Sequence, residues 1–375
     1  MSIDPSSSIY KLRLAKLAEV LPTSRVEVLA LNSGPSLSYL SGLHFHLSER
    51  PELLIFVPGK PLVIVLPELE AGKVNNLDIP IQSFPYKEDP DTWITAFKQA
   101  VAFAGIDGLK IGLEPRRFRL LELRLLEVAA PRSKFLSGED TIASLRMYKD
   151  ISEISAMQNA VDIAQAALKA TLPLVKVGMT ERELASEITL QLLRHGSDPQ
   201  LPFSPIVASG PNSANPHATP TDRSLEDGDM LILDWGASFK GYISDLTRTF
   251  VMGEPDQKMV QVARIVEEAN SAARHQALPG TPAGEVDSAA RSIIEAAGYG
   301  ENFVHRTGHG IGLESHEEPY IRSDNQLPLE NGMTFTIEPG IYLPGQWGVR
   351  IEDDIQIAST GGKSLSNLPR RLQIL

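Results

Sequence analysis

At 375 residues the chain is long enough for two domains, or one large one, with ample material for a core. A net charge of −12 argues against nonspecific nucleic-acid binding and gives no membrane-surface signal, and 42% hydrophobic with 22% charged residues describes an ordinary soluble globular protein. The absence of cysteine excludes disulfides, thiolate metal sites and cysteine nucleophiles. After the polar start Met1-Ser-Ile-Asp-Pro-Ser no apolar leader or membrane span follows, so the expectation is a cytoplasmic protein.

To about residue 140 the chain alternates apolar runs with helical patterns. Val26–Leu31, Leu53–Val57 and Leu62–Leu66 read as strands, and Thr92–Phe103 and Arg117–Val128 as helices, which predicts an α/β domain. His44 and His46, after Tyr39-Leu-Ser-Gly42, read as loop histidines. The polar stretch Leu136-Ser-Gly-Glu-Asp-Thr141 marks the expected boundary, giving domains over 1–140 and 145–375. A long helix then starts at Asp150, with Glu153 at capping-box spacing, and another after Gly178, with Thr180 and Glu183, ending near His195-Gly196. Asp229–Asp234 reads as a strand with an acid at its end, turning at Lys240-Gly241 into Ile243–Phe250. Further helices are predicted over Lys258–Ala277 and Ala283–Ala297.

The part beyond residue 145 contains a duplication. Leu225-Glu-Asp-Gly228 is echoed by Leu329-Glu-Asn-Gly332, and each leads through a strand to an acid, Asp234-Trp-Gly236 or Glu338-Pro-Gly340. Gly178–Leu184 matches Gly280–Val286, and His217-Ala-Thr-Pro220 matches His316-Glu-Glu-Pro319. Two like units imply pseudo-two-fold symmetry, with corresponding acids meeting at a shared centre. If Lys240-Gly241 is a two-residue turn, Asp245 lies opposite Gly236, and Asp234 and Asp245 are diagonal neighbours on one face. In the second half Arg350, Glu352 and Asp354 share the polar face of an alternating strand.

His305-Arg-Thr-Gly-His309-Gly-Ile-Gly-Leu-Glu-Ser-His316-Glu317 gathers three of the chain's eight histidines. It is no zinc-protease helix: Arg306 stands where a Glu is needed, and each of Gly308, Gly310 and Gly312 would cost a helix interior about 1 kcal/mol. Nor is it a dinucleotide loop, since the third glycine is misplaced. A loop or strand edge is expected, with glycines admitting close backbone approach. Unpaired acids converging in an apolar sheet would repel and protonate, a conflict that a cation resolves. Asp234, Asp245, Glu338, Glu352 and His309 make five ligands, too many for one ordinary site and suited to two divalent ions about 3.5–4 Å apart. Four oxygens and one nitrogen favour manganese or cobalt and leave zinc open.

These motifs, with Ser244-Asp245-Leu-Thr-Arg-Thr-Phe250, Thr336-Ile-Glu338-Pro-Gly340 and Arg350-Ile-Glu352-Asp353, closely resemble those of the pita-bread metallopeptidases, within them the prolidase and aminopeptidase P branch. Leu145–Ile154 resembles the start of that family's catalytic domain, and Asn32–Gly42 a motif of its N-terminal domain, so the resemblance spans nearly the whole chain. It implies a smaller creatinase-like α/β N-terminal domain, serving substrate gating and dimerisation, before a pita-bread catalytic domain. It also implies a homodimer and two divalent ions bridged by Asp245 and Glu352, with Asp234 completing one and His309 and Glu338 the other. The implied reaction is hydrolysis of an Xaa-Pro bond by a bridging hydroxide, with Glu338 as proton acceptor. His217 and His316 would steady substrate and intermediate, His305 would line the proline side or shuttle protons, and Arg350 would brace Glu352. An Xaa-Pro dipeptidase is the favoured expectation from the compact N-terminal part, and an aminopeptidase P acting on longer peptides the alternative. Methionine aminopeptidases usually lack the N-terminal domain, creatinase-like enzymes do without the metal acids, and a non-enzymatic module of the fold would lack several ligands.

Overall fold

A computed structural model of the chain describes residues 8–375, so the polar start at residues 1–6 lies outside the described residues. The chain forms two compact units, one ending at Arg146 and the other running Met147–Leu375. In the first, α1 (Ile9–Val20), β1 (Val28–Leu31), α2 (Pro35–Ser41), β2 (Leu53–Phe56), β3 (Leu62–Pro67), β4 (Ile81–Tyr86), α3 (Trp93–Ala104), β5 (Lys110–Leu113), α4 (Leu120–Ala129), β6 (Lys134–Ser137) and α5 (Glu139–Arg146) follow in order. The strands make one mixed sheet in the order β4-β3-β2-β1-β5-β6. Its core joins inward residues of β1, β2 and β3 to Phe97, Ala100, Val101 and Leu126 of the helices. The stretch 136–141 closes β6 and opens α5 within this unit, and the exposed His44 and His46 lie between α2 and β2. Glu52, just before β2, is 4% exposed, and the Ser33 hydroxyl donates to it. Burial pushes its carboxyl up to about 7.

The second unit contains α6 (Ile151–Thr171), α7 (Glu181–Arg194), β7 (Ile206–Ser209), β8 (Met230–Trp235), β9 (Ser238–Phe239), β10 (Tyr242–Ile243), β11 (Leu246–Val251), α8 (Gln257–Gln276), α9 (Ala283–Ala296), β12 (Gly308–Gly310), β13 (Glu317–Ile321), β14 (Thr334–Ile337), β15 (Gly340–Leu343), β16 (Trp347–Arg350), β17 (Asp353–Ala358), β18 (Gly361–Ser364) and β19 (Gln373–Ile374). Both predicted capping boxes form, at Asp150–Glu153 and Thr180–Glu183. The duplication is visible in the hydrogen bonding. Gly178 N donates to Leu225 O and Leu225 N to Met179 O, while Gly280 N donates to Leu329 O and Leu329 N to Thr281 O. Each repeat is two helices, a sheet, and a small ribbon (β9–β10 or β15–β16) inserted between two antiparallel strands. The first repeat's sheet runs β19-β11-β8-β7 and the second's β13-β12-β14-β17-β18.

Period-two alternation decides what faces what. Leu231, Leu233 and Trp235 of β8, with Leu246 and Phe250 of β11, pack in one cluster with α6 and α7, and Trp235 Nε1 donates to Ala164 O at 2.9 Å. Phe335, Ile337, Ile355 and Ile357 pack with α8 and α9. Asp234, Asp245, Thr247, Thr336, Glu338 and Asp354 are each offset by one position, so they point to the opposite, inner faces. There the repeats meet: Thr247 bridges Glu352, and Thr249 Oγ1 donates to Arg350 O at 2.8 Å. Among the described residues no helix is long and apolar enough to cross a membrane.

Candidate metal centre

The tip of the first ribbon sets the first two acids. Phe239 pairs with Tyr242 around Lys240 (φ 53°) and Gly241 (φ 79°), a turn with both central residues left-handed. The same register continues through Leu246 opposite Trp235 and Thr247 opposite Asp234, which puts Asp245 opposite Gly236. The two carboxylates are thus diagonal neighbours, as the two-residue turn required.

His309 sits in β12, which lies between β13 and β14 and is therefore an interior strand rather than the loop or edge expected. Its flanking glycines admit neighbouring backbone, not a ligand: a Cβ on Gly308 would strike Thr336 O, and one on Gly310 would strike Glu318 O. The imidazole is oriented by its own strand. Nδ1 lies 3.2 Å from Gly310 O, and since a carbonyl can only accept, Nδ1 carries the proton. Nε2 then turns a lone pair toward Glu338 Oε1 at 3.3 Å and Asp245 Oδ2 at 3.9 Å.

All nine residues singled out from the sequence line one cavity of about 610 Å³: His217, Asp234, Asp245, His305, His309, His316, Glu338, Arg350 and Glu352. That volume is ordinary for a small-molecule site. The pocket also includes Phe203, Ser204, Ile206, Pro216, Arg306 and Ser315, which nothing in their local pattern distinguished from core or loop. Asp234, Asp245, His309, Arg350 and Glu352 are buried, Glu338 and His305 half-buried, and His217 and His316 exposed. The His316 ring meets His309 edge-on, with centroids 4.2 Å apart.

The electrostatics of this cluster fit a cation. Burial, and then the neighbouring Glu352 and Asp234, drive the Asp245 carboxyl far above the usual range. Burial and Glu338 do the same to Glu352, and burial pushes Glu338 up to about 7. Burial pushes His309 well down, so the ring is neutral and its lone pair available. Ligand atoms of Asp245, His309 and Glu352 all lie within 4.8 Å of one another, and Asp234 Oδ1 is buried without a hydrogen-bond partner. Carboxylate oxygens crowded together beside an imidazole lone pair, in a low-dielectric pocket, are a cation site by chemistry.

Arg350 ties the two repeats. Nη2 donates to Asp234 Oδ2 at 2.7 Å, Nη1 to Pro216 O at 3.1 Å and to the Tyr342 hydroxyl at 3.0 Å, and Nε to Thr247 Oγ1 at 3.1 Å. The resemblance implied that it braces Glu352; its carboxylate partner is Asp234 of the other repeat. It reaches Glu352 only through Thr247, whose hydroxyl donates to Glu352 Oε2 at 2.6 Å. The alternation read across Val349–Ile355 nevertheless holds through the gap between β16 and β17: Val349, Ile351 and Ile355 join the core, while Arg350 and Glu352 line the cavity. Tyr342 was missed from sequence because it sits in the apolar run Gly340–Leu343 and reads as core. Its hydroxyl is 2.9 Å from His305 Nε2, while His305 Nδ1 is 2.7 Å from Arg306 O. The carbonyl fixes the proton on Nδ1, so Nε2 accepts from Tyr342, which accepts in turn from Arg350. Burial lowers His305 to about 4, and both nitrogens of this neutral ring are engaged.

A model of metallopeptidase family M24 matches residues 155–359, and one of the creatinase/prolidase N-terminal domain matches residues 13–148. The chain is 34% identical over 365 residues to an Xaa-Pro dipeptidase of Pyrococcus horikoshii, covering 96% of this chain and 98% of the relative. The structure of a recombinant prolidase from Thermococcus sibiricus matches with a TM-score of 0.92 at 35% identity, covering 99% of this chain and 100% of that one. An X-Pro aminopeptidase from Thermotoga maritima matches with a TM-score of 0.84 at 31% identity, over 96% and 99% of the two chains.

Proposed function

Since this chain belongs to metallopeptidase family M24 and carries a creatinase/prolidase N-terminal domain, we propose that it hydrolyses the bond between an N-terminal residue and a following proline, as an Xaa-Pro dipeptidase. One observation carries the reading. Asp234, Asp245, His309, Glu338 and Glu352 converge on a single cavity in a chain that matches an Xaa-Pro dipeptidase over nearly its whole length. These five residues would hold two divalent cations, whose chemistry when bound is to acidify water and polarise the scissile carbonyl.

The chain's own groups supply the remainder. Arg350 holds the Asp234 carboxylate with a charge-assisted bond and fixes the backbone at Pro216, next to His217. The Glu338 carboxylate accepts the proton of the attacking water and passes it to the departing prolyl nitrogen. His217 and His316, the cavity's two exposed imidazoles, bind the substrate's polar ends and the charge that develops on its carbonyl oxygen. His305, with both nitrogens engaged, forms wall; this supports the lining role over the proton-shuttle role. Manganese as resident metal rests on the oxygen-rich donor set, a homodimer and substrate gating by residues 1–140 rest on the family resemblance, and a cytoplasmic setting belongs to the same reading.

Similarity to an X-Pro aminopeptidase favours one second reading, an aminopeptidase P acting on longer peptides. The test is hydrolysis of a matched Xaa-Pro dipeptide and Xaa-Pro tripeptide with manganese, and with chelator as control. Cleavage of the dipeptide alone, stopped by chelator, is expected. Cleavage of the tripeptide selects the second reading, and a metal-loaded protein that touches neither sinks both.

A further inference from the structure

Between Ser209, the last residue of β7, and Thr221 the chain makes a loop whose two ends reach the same side chain. Pro216 and His217, on its far side, line the cavity. A surface loop holds its tip in one place only where its neck and body are tied down. Here one carboxylate joins both ends of the neck, beside Arg182 N, which donates to Thr221 O at 3.2 Å, and Gly348 N, which donates to Ser213 Oγ at 2.9 Å. Glu181, the first residue of α7, is 0% exposed. It accepts from Ser209 N at 2.7 Å and Ser209 Oγ at 2.8 Å, from Asn212 Nδ2 at 3.1 Å, and from Thr221 N at 2.9 Å and Thr221 Oγ1 at 2.6 Å. Arg223 Nη1 supports the arrangement from outside by donating to Ser209 Oγ at 2.8 Å. Burial alone would raise this carboxyl, but the donors from Thr221 and Ser209 hold it below its ordinary value. The loop is caught again near its tip, where Arg350 bonds Pro216 O and His217 N donates to Asn215 Oδ1 at 3.1 Å.

The second repeat has a comparable tie at a different position, since the repeat match sets Ala283 opposite Glu181. Asp287 of α9, 0% exposed, accepts from Thr307 N at 2.9 Å and Thr307 Oγ1 at 2.8 Å. It also holds Arg291, whose guanidinium donates to Phe303 O and His305 O. In each repeat, then, a buried carboxylate from the second helix ties down the segment that carries a cavity-lining imidazole.

We propose that Glu181 is a positioning residue: by closing the neck of the 209–221 loop it holds His217 over the cavity, and it acts on the reaction only through that imidazole. The proposal rests on the reading of His217 as a substrate contact. A carboxylate that merely stapled the fold would have no such dependence on one histidine.

The test is a double-mutant cycle on the metal-loaded full chain with an Xaa-Pro dipeptide. Glu181→Gln keeps the shape but turns an amide donor against the donors of Ser209 or Thr221. Since displacement of a reacting group by about 1 Å can cost about 100-fold, kcat/KM is expected to fall roughly 30-fold with metal content unchanged. Added to His217→Ala, the same change should cost less than about 3-fold, because the two residues act as one unit. Equal losses in both backgrounds overturn the proposal. Thr221→Val, which removes one hydroxyl donor, covers the case in which Glu181→Gln does not fold. It should cost about 5-fold, again only while His217 is present, and a loss of the same size without His217 overturns the proposal. If His217→Ala alone leaves kcat/KM intact, the reading of His217 falls and the proposal with it. Additive losses beside an impaired His217→Ala remove only the positioning role.

Discussion

The two repeats of the catalytic unit share an architecture but treat their polar groups differently. Each sends acids from its inner sheet face to the common cavity, Asp234 and Asp245 from one and Glu338 and Glu352 from the other. The imidazoles keep this symmetry only in part, since His217 and His316 are matched while His305 and His309 belong to the second repeat alone. The first repeat contributes only His217, exposed on a loop. The second contributes His309 in an interior strand, His305 with both nitrogens engaged, and the exposed His316. The agreement covers four acids and two exposed imidazoles; the difference adds one imidazole whose lone pair meets the acids and one held in the wall by its hydrogen bonds. A duplicated fold thus supplies a symmetric frame of acids and exposed imidazoles, and the second repeat alone adds His309 to the acids.

The sharpest way to break this comparison is at a symmetric acid. Asp245→Ala is expected to lower activity more than about 10³-fold and to abolish metal uptake, read by elemental analysis beside the rate. Full activity with two bound metals would end the assignment. His316→Ala, at the exposed imidazole matched to His217, should reduce turnover by about 10²–10³-fold while leaving metal content intact. Loss of both ions in that variant would place His316 in the metal site instead. Arg350→Lys tests the link between repeats. Lysine cannot reproduce a fork that reaches Asp234, Thr247, Pro216 and Tyr342, so a 10–100-fold loss in activity or metal affinity is expected. Wild-type behaviour would mean that Asp234 needs no brace.

The smallest effect lies outside both repeats. Glu52 has its carboxyl raised in the folded state, so its contribution to stability is fully present below the ordinary carboxylate pKa of about 4.3 and is lost as pH rises through about 7. Glu52→Gln should therefore match wild type near pH 5 and exceed it by about 1–3 kcal/mol at pH 8 in denaturant unfolding, with activity little changed. A variant less stable at pH 8 would show that the ionised carboxylate is well solvated or paired.

The four converging acids were legible because several independent patterns agreed on them: matched positions in a repeat, strand alternation, and a two-residue turn that fixes register. Capping boxes placed α6 and α7 for a similar reason, since each is a local hydrogen-bond arrangement written into four residues. Strands β4, β5 and β6 went unread. β4 buries only Tyr86 fully and contains Pro85, and β6 is mostly exposed, so neither presents the alternation that marks a half-buried strand. Tyr342 and Glu181 were invisible for a different reason. An aromatic in an apolar run and an acid at a helix start are each the expected residue for their local setting. Only the tertiary contacts reveal what their polar atoms hold. Asp353 belongs with them: its ion pairs to Arg248 and Arg370, both below 3 Å, join distant strands that no local pattern connects.

The outer edge of β11 is covered by β19, a strand laid down more than a hundred residues later. Arg248 of β11 waits on the same late segment, donating to Leu368 O and Pro369 O as well as to Asp353. On the ribosome, the first repeat therefore emerges with an open strand edge and an uncompensated guanidinium, and stays so until the second repeat has followed. Such an edge accepts any strand offered to it. Cutting the chain between its repeats would not yield two half-enzymes; the leading half would have to borrow its last strand from a stranger.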